Sequence, residues 1–381
     1  MAIAELLAEA GQVLGRDYPE FVYDDRPLAG DYLPVFAFHS LDPADFAAKL
    51  AFLSANRYRP IPLDDAVAWI EGRAPLPPRA VVLTIDDGRL STWSVGYPLL
   101  ERFGMTATAF VIPGYLEDGP PRPLPDDPFT TAVDERYDGR TALRWSEVAA
   151  LHASGVIAIE SHSMLHRKVV ISDELDGFLG PDWSEPPFEL PLAPDEREPW
   201  TAARRTEHAG MPLFRAASVL LTDAARPVRP EAIAACEHLV RSAGTGIFRD
   251  RGAERRLTRA LRAAGPPLGA PMDLEACRRW ELGTAKATLE ARLPGKQVRH
   301  FCYPRGRGAP RAERLVAAAG YASACWSFLP QATSNRRGRS ALRLGRLKHD
   351  FLWRLPGDGN RPLRDVLAGK LTRRLRGGTG Y

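Results

Sequence analysis

Two hydrophobic spacings alternate along the chain. Short apolar runs bounded by Gly, Pro, Asn or Asp predict buried strands at 33–38, 57–61, 81–85, 106–112, 156–160, 298–303, 321–326 and 341–347. Apolar positions three and four apart predict helices at 1–16, 46–53, 63–72, 93–103, 144–155, 280–293 and 310–319. Asp42 reads as the N-cap of the second of these and Ser146 as the cap of the fifth. Strand followed by helix, repeated, predicts a parallel α/β architecture. The pattern breaks between 173 and 279. A strand–helix–strand crossover needs about 30 residues, and this interval is far longer. Its 182–199 stretch is acidic and proline-rich, while 230–242 and 253–264 read as helices, the latter strongly basic. The interval predicts an inserted subdomain or lid. Residues 361–376 carry Leu363, Val366, Leu367, Leu371 and Leu375 at near-helical spacing.

Composition narrows the class. At 45% hydrophobic and 26% charged residues, the chain reads as a soluble globular protein. Cys236, Cys277, Cys302 and Cys325 form no CxxC pair, so a disulfide framework is not expected. The first residues carry an acid and no basic n-region, and no apolar run nears the ~18 residues of a spanning helix. A cytoplasmic location is the expectation. The net charge of +4 hides an asymmetry: residues 336–381 hold 13 Lys or Arg against 3 acids, and the remaining 335 carry 38 against 44. That basic end can lie on an anionic membrane surface or be a solvated helix face, and the solvated face is slightly favoured. It lacks aromatic interleaving, so no nucleic-acid partner is expected.

The candidate chemistry sits at the strand ends. The run Val81-Val82-Leu83-Thr84-Ile85 leads directly into Asp86-Asp87-Gly88. Alone, such an ending is turn chemistry. The 156–160 strand runs into Ser161-His162-Ser163-Met164-Leu165-His166, and the 298–303 strand ends at Tyr303-Pro304-Arg305-Gly306. His39 and His349 end two further strands. One carboxylate and two imidazoles make a three-ligand set that leaves a position open for water on Zn²⁺ or a similar divalent ion.

These residues resemble a known family. Thr84-Ile85-Asp86-Asp87-Gly88 resembles the Thr-Phe-Asp-Asp-Gly motif of polysaccharide deacetylases, the NodB-homology or carbohydrate esterase family 4 enzymes. His162 to His166 is similar to their His-Ser/Thr-x-x-His motif, and Phe301-Cys302-Tyr303-Pro304-Arg305-Gly306 to their third motif. Phe36-Ala37-Phe38-His39-Ser40 resembles the Tyr-His segment of the subgroup acting on poly-N-acetylglucosamine. The likeness covers roughly 33–170 and 280–350.

The resemblance implies a distorted (β/α)7-type barrel over 33–360, interrupted by the 173–279 insertion. Residues 1–32 would be an N-terminal helix and linker, and 361–381 a basic tail. It implies Asp87, His162 and His166 as ligands of a divalent metal, Zn²⁺ first, with Co²⁺ or Ni²⁺ as alternatives. Asp86 would be the general base. A backbone N–H near Tyr303 or Arg305 would hold the oxyanion. A histidine would be the general acid, His349 first by position and His39 second. Two departures stand out: Ile85 replaces the usual Phe, and Arg305 the usual Tyr. A cation at Arg305 could meet a substrate carboxylate or phosphate, or hold an acidic side chain behind the site. Tyr303, Trp183 and Trp200 are the candidates for substrate contact, since aromatic faces stack on sugar rings, although any one tryptophan is more often core.

The expected reaction is removal of an N-acetyl group from an amino sugar in a glycan, glycolipid precursor or glycosylated metabolite. The same metal site acting on an ester, formamide or other amide is the second reading. A non-catalytic glycan-binding protein on this scaffold is the third.

Overall fold

The structure is a computed structural model, and it describes residues 11–24, 27–130, 141–327, 329 and 334–375. Most of the 1–16 helix expected from the sequence and the end of the basic tail lie outside the described residues. The strands are Val35–Phe38 (β1), Arg59–Pro60 (β2), Ala80–Asp87 (β3), Ala107–Val111 (β4), Ile157–Ser161 (β5), Lys168–Phe178 (β6), Pro212–Ser218 (β7), Ala224–Ala225 (β8), Met272–Asp273 (β9), His300–Cys302 (β10), Ser323–Trp326 (β11), Leu344–Gly345 (β12) and Leu347–Lys348 (β13).

Eight of them run in the order β12-β11-β10-β5-β4-β3-β1-β13, every neighbouring pair parallel. The two ends of that path are separated in sequence by one residue, Arg346. The sheet therefore curls until it nearly closes on itself, and a single arginine sits at the seam. This is the distorted (β/α)7-type barrel, with β12 and β13 as two halves of one interrupted strand.

Period-two alternation sorts the side chains. Val35, Val82, Phe110, Cys302, Cys325 and Leu344 come from six barrel strands and pack together inside, over the helix Leu63–Ile70. Val81, Leu83 and Ile85 have the opposite parity and pack outward with Phe36, Phe46 and Leu50. The helix Pro43–Ala55 starts where Asp42 was expected to cap it: Asp42 Oδ1 accepts the Asp45 N–H at 2.8 Å. Ser146 is not a cap. It lies within the helix Trp145–Ser154 and donates its hydroxyl to the Gly119 carbonyl, while Glu147 accepts the Arg144 N–H at 2.8 Å.

Two smaller antiparallel pairs, β6 with β7 and β8 with β9, lie between β5 and β10. The helices Pro230–Ala243 and Ala253–Ala263 pack beside them around Val170, Phe214, Cys236, Val240, Leu257 and Leu261. This lobe occupies the region expected as an insertion, with its first strand already under way at Lys168. Among the described residues, no helix is long and apolar enough to cross a membrane.

Candidate metal centre

Register places the acids. Asp87 is level with Val111 on β4, and Val111 with Ser161 on β5. Asp87 and His162 thus reach the C-terminal rim at nearly the same height. Asp86 has the parity of Val82 and Thr84 and faces the barrel interior. Asp87 and Gly88 have φ of 71° and 69°, a left-handed turn that folds the chain over the rim. The strain at a non-glycine residue is what brings a second, adjacent carboxylate to the same opening.

The two acids have separate surroundings. Arg346 grips Asp86 with two parallel bonds, Nη1 to Oδ1 and Nη2 to Oδ2, each 2.7 Å. Both side chains are buried. Burial alone would raise the Asp86 carboxyl, but Arg346 outweighs it and holds the group well below the usual carboxylate range. Asp86 is therefore an anion with a fixed orientation. Asp87 Oδ2 accepts from Arg89 Nη2 at 3.0 Å, and its Oδ1 lies 3.5 Å from His162 Nε2.

The histidine loop is held from several sides. His162 Nδ1 lies 2.8 Å from the Cys302 carbonyl, which assigns the proton to Nδ1 and leaves the Nε2 lone pair toward Asp87. Ser163 and His166 have φ of 67° and 52°. Glu281, on the helix Glu275–Arg292, clamps this strained turn: its Oε2 accepts the Leu165 N–H at 2.9 Å and its backbone carbonyl the Met164 N–H at 3.1 Å. Arg167 Nε donates to Glu281 Oε1 at 2.8 Å, and both side chains are fully buried. Gly114 completes the clamp, since a Cβ there would lie 2.3 Å from Leu165 and 2.7 Å from the Met164 carbonyl.

Ligand atoms of Asp87, His162 and His166 lie within 4.8 Å of one another, and all three residues are buried. The donor set, two imidazoles and a carboxylate, suits Zn²⁺ or a similar divalent ion with an open position. His166 Nδ1 is buried with no hydrogen-bond partner among the described residues, and burial with the positive charges around it keeps the ring neutral. A neutral, unsatisfied imidazole nitrogen at this point fits a cation. Asp86, His162 and Cys302 form a second grouping. It fits less well, because both Asp86 oxygens are engaged by Arg346 and burial pushes the Cys302 thiol up.

The remaining expected residues divide. His39 Nε2 lies 3.6 Å from Asp86 Oδ2, and burial depresses the ring to about 4. His349 does not join the cluster. It stacks on Phe38 with ring centroids 5.1 Å apart, and its Nδ1 lies 3.8 Å from Asp45 and 4.0 Å from Asp350. The two histidines follow neighbouring strands, Ala37 being level with Lys348, but the chain turns His349 outward. Tyr303 is not a substrate contact: its ring is fully buried, 4.2 Å from Trp326 and 5.1 Å from Phe301. Its N–H is spent on the Cys325 carbonyl at 3.1 Å, so of the two backbone donors expected only that of Arg305 remains for an oxyanion. Trp200 is also core, its Nε1 donating to the Pro191 carbonyl at 3.1 Å. Trp183 is half-buried against the same apolar cluster. Arg305 Nη2 donates to Glu189 Oε1 at 2.6 Å, bonding the rim to the inserted lobe.

Arg346 was missed from the sequence, though it lies in the stretch leading to His349. Its one readable signal is a charged residue between Leu344-Gly345 and Leu347 in the last strand.

Residues 73–185 match the family model described as polysaccharide deacetylase. Poly-beta-1,6-N-acetyl-D-glucosamine N-deacetylase of Escherichia coli (strain K12) is 27% identical over 126 residues, 33% of this chain and 18% of that protein. The chain thus matches less than a fifth of the length of that curated relative. Among solved structures, a de-N-acetylase from Aggregatibacter actinomycetemcomitans superposes with a TM-score of 0.51 at 15% identity, covering 83% of this chain and 94% of that one. IcaB from Ammonifex degensii gives 0.47 at 18% identity, covering 90% and 98%.

Proposed function

We propose that this chain, whose residues 73–185 match the polysaccharide deacetylase family model, is a metal-dependent hydrolase of an N-acyl bond, removing acetyl groups from an amino sugar. The observation that carries the reading is the convergence of Asp87, His162 and His166 beside an Asp86 held anionic by Arg346. A divalent ion held by Asp87, His162 and His166, with zinc the first choice, would supply Lewis-acid chemistry, polarising the acyl carbonyl and acidifying the attacking water.

The chain's own groups handle the protons. Asp86 accepts a proton from the attacking water as the C–O bond forms. The backbone N–H of Arg305 is the donor assigned to the oxygen that gains charge, a donor of the kind worth about 10²–10³ in rate. The C–N bond then breaks, and the departing nitrogen takes a proton. His39, 3.6 Å from Asp86, is neutral before the reaction and can receive the proton from Asp86 and pass it to the amine. Water and amide are converted to a carboxylate and a protonated amine, with no other reactant.

The test is acetate release from N-acetylglucosamine oligomers with Zn²⁺ or Co²⁺, before and after chelation, with N-formyl and O-acetyl sugars in parallel. Activity unaffected by chelation or by Asp87→Ala overturns the reading. Faster turnover of the ester or formamide keeps the site and changes the bond.

A further inference from the structure

We propose that the acyl pocket is one-ended, so that it takes a single or chain-terminal N-acylated amino sugar rather than an internal residue of a glycan. The proposal rests on the function proposed above and specifies its substrate class.

Among the described residues, the barrel rim divides into a buried and a partly exposed sector. At the ends of β4 and β5, Ile112, Tyr115 and Leu165 are buried in one apolar cluster with Phe188 and Leu190 of the inserted lobe. The Phe188 ring lies 4.7 Å from the His166 ring and packs edge-on to Tyr115 at 5.8 Å. Phe188 is 3% exposed and His166 4%. This side of the metal cluster is roofed by a buried aromatic ring.

The roof is fastened beyond that ring. Phe188 and Glu189 belong to the short turn Pro187–Glu189, entered through Pro186 and Pro187, whose fixed φ limits its freedom. Glu189 accepts from Arg305 at the end of β10, and its other oxygen lies 3.6 Å from Lys168 Nζ at the start of β6. The turn is thus held by apolar packing on one flank and by two cations on the other. Next around the rim, Gly306 is packed so closely on Ser327 that a Cβ would lie 2.3 Å from it. Among the described residues, the β10 and β11 loops are therefore packed against each other at this point.

The opposite sector differs. At the ends of β1 and β3, His39, Ser40, Arg89 and Leu90 are partly exposed. Arg89 spans this mouth, joining Ser40 Oγ at 3.1 Å and Asp87 Oδ2 at 3.0 Å. An internal sugar needs two exits, one for each glycosidic direction. A substrate entering past His39 and Arg89 meets Phe188 and the Glu189–Arg305 pair behind the metal cluster, so its chain extends one way only.

The experiment uses the zinc-loaded full chain and two pentamers of N-acetylglucosamine, β-1,4- and β-1,6-linked. Tandem mass spectrometry of end-labelled products locates each lost acetyl group. The expected result is loss at one terminal sugar, favoured over internal positions by at least about tenfold. In Phe188→Ala/Glu189→Ala, loss at internal sugars should rise. Internal loss at a rate comparable to terminal loss in the wild type overturns the proposal. Saturation-transfer NMR of both pentamers with the metal-free protein reads the geometry without turnover. Signal concentrated on one terminal N-acetyl methyl supports a one-ended pocket even if no acetate is released, in which case the proposed reaction fails and the pocket stands. Uniform signal along the pentamer, or no binding of either pentamer, overturns it.

Discussion

Arg346→Met tests the seam of the barrel and the state of Asp86 together. Methionine fills much of the arginine volume and leaves Asp86 with no guanidinium. In the wild type the pair is fully buried and bidentate at 2.7 Å. Removing one partner of such a pair leaves an uncompensated buried charge and costs about 3–5 kcal/mol. The sign of the pH dependence makes the test sharper. In the wild type the folded Asp86 carboxyl lies below its unfolded value. Its contribution is therefore complete above an unfolded pKa of about 3.9 and is lost as pH falls through the folded value. In Arg346→Met, burial dominates and the carboxyl rises above the unfolded value. The folded variant then binds the extra proton, so its stability falls as pH rises from about 4 toward 7, a slope absent from the wild type. The assay is urea unfolding at pH 4.5, 6 and 7.5. Arg346→Met/Asp86→Asn, which removes both charges, should recover most of the loss, with a coupling energy of several kcal/mol. A loss under about 1 kcal/mol, or a single variant with wild-type pH dependence, refutes the account of Asp86 as an anion maintained by Arg346.

Three further outcomes follow from the site. Glu281→Ala frees the Leu165 N–H and leaves the buried Arg167 without a carboxylate, held only by the Ala193 and Glu196 carbonyls. It should cost about 3–5 kcal/mol by urea unfolding and weaken zinc binding about 10–100-fold by calorimetry, with turnover restored by excess zinc. His39→Gln should lower kcat by about 10² or more with little change in KM, whereas His349→Gln should leave kcat unchanged. Chelation should lower Tm, and zinc added back should raise it again, free zinc at 100 times Kd adding about 2.7 kcal/mol of stability; Asp87→Ala should show no such shift.

The legible parts of the molecule were those in which local pattern and function coincide. An apolar β-branched run ending in Asp86-Asp87-Gly88 reads as a buried strand, and its acids read as a site once set beside His162 and His166, whose spacing is contained in one turn. The Asp42 cap and the helices of the inserted lobe were readable for the same reason. What failed depends on distant contacts. Arg346 acts on a residue 260 positions away, across a barrel closure that no short window reveals. His39 and His349 follow adjacent parallel strands, and only the packing of His349 on Phe38 decides which faces the acids. Tyr303 and Trp200 carry the ring chemistry of a sugar contact but are enclosed by Trp326, Phe301 and the lobe core. The turn that roofs His166 belongs to an acidic, proline-rich stretch whose sequence offers no helical or strand period to place it.

The most direct test of the metal centre is the zinc content of purified wild type, Asp87→Ala and Asp86→Asn, measured by elemental analysis beside turnover and urea unfolding. The account predicts one ion per chain in the wild type and in Asp86→Asn, with turnover lost in the latter, and loss of the ion from Asp87→Ala while the chain remains folded. A full complement of zinc in Asp87→Ala, or turnover surviving in Asp86→Asn, would contradict it.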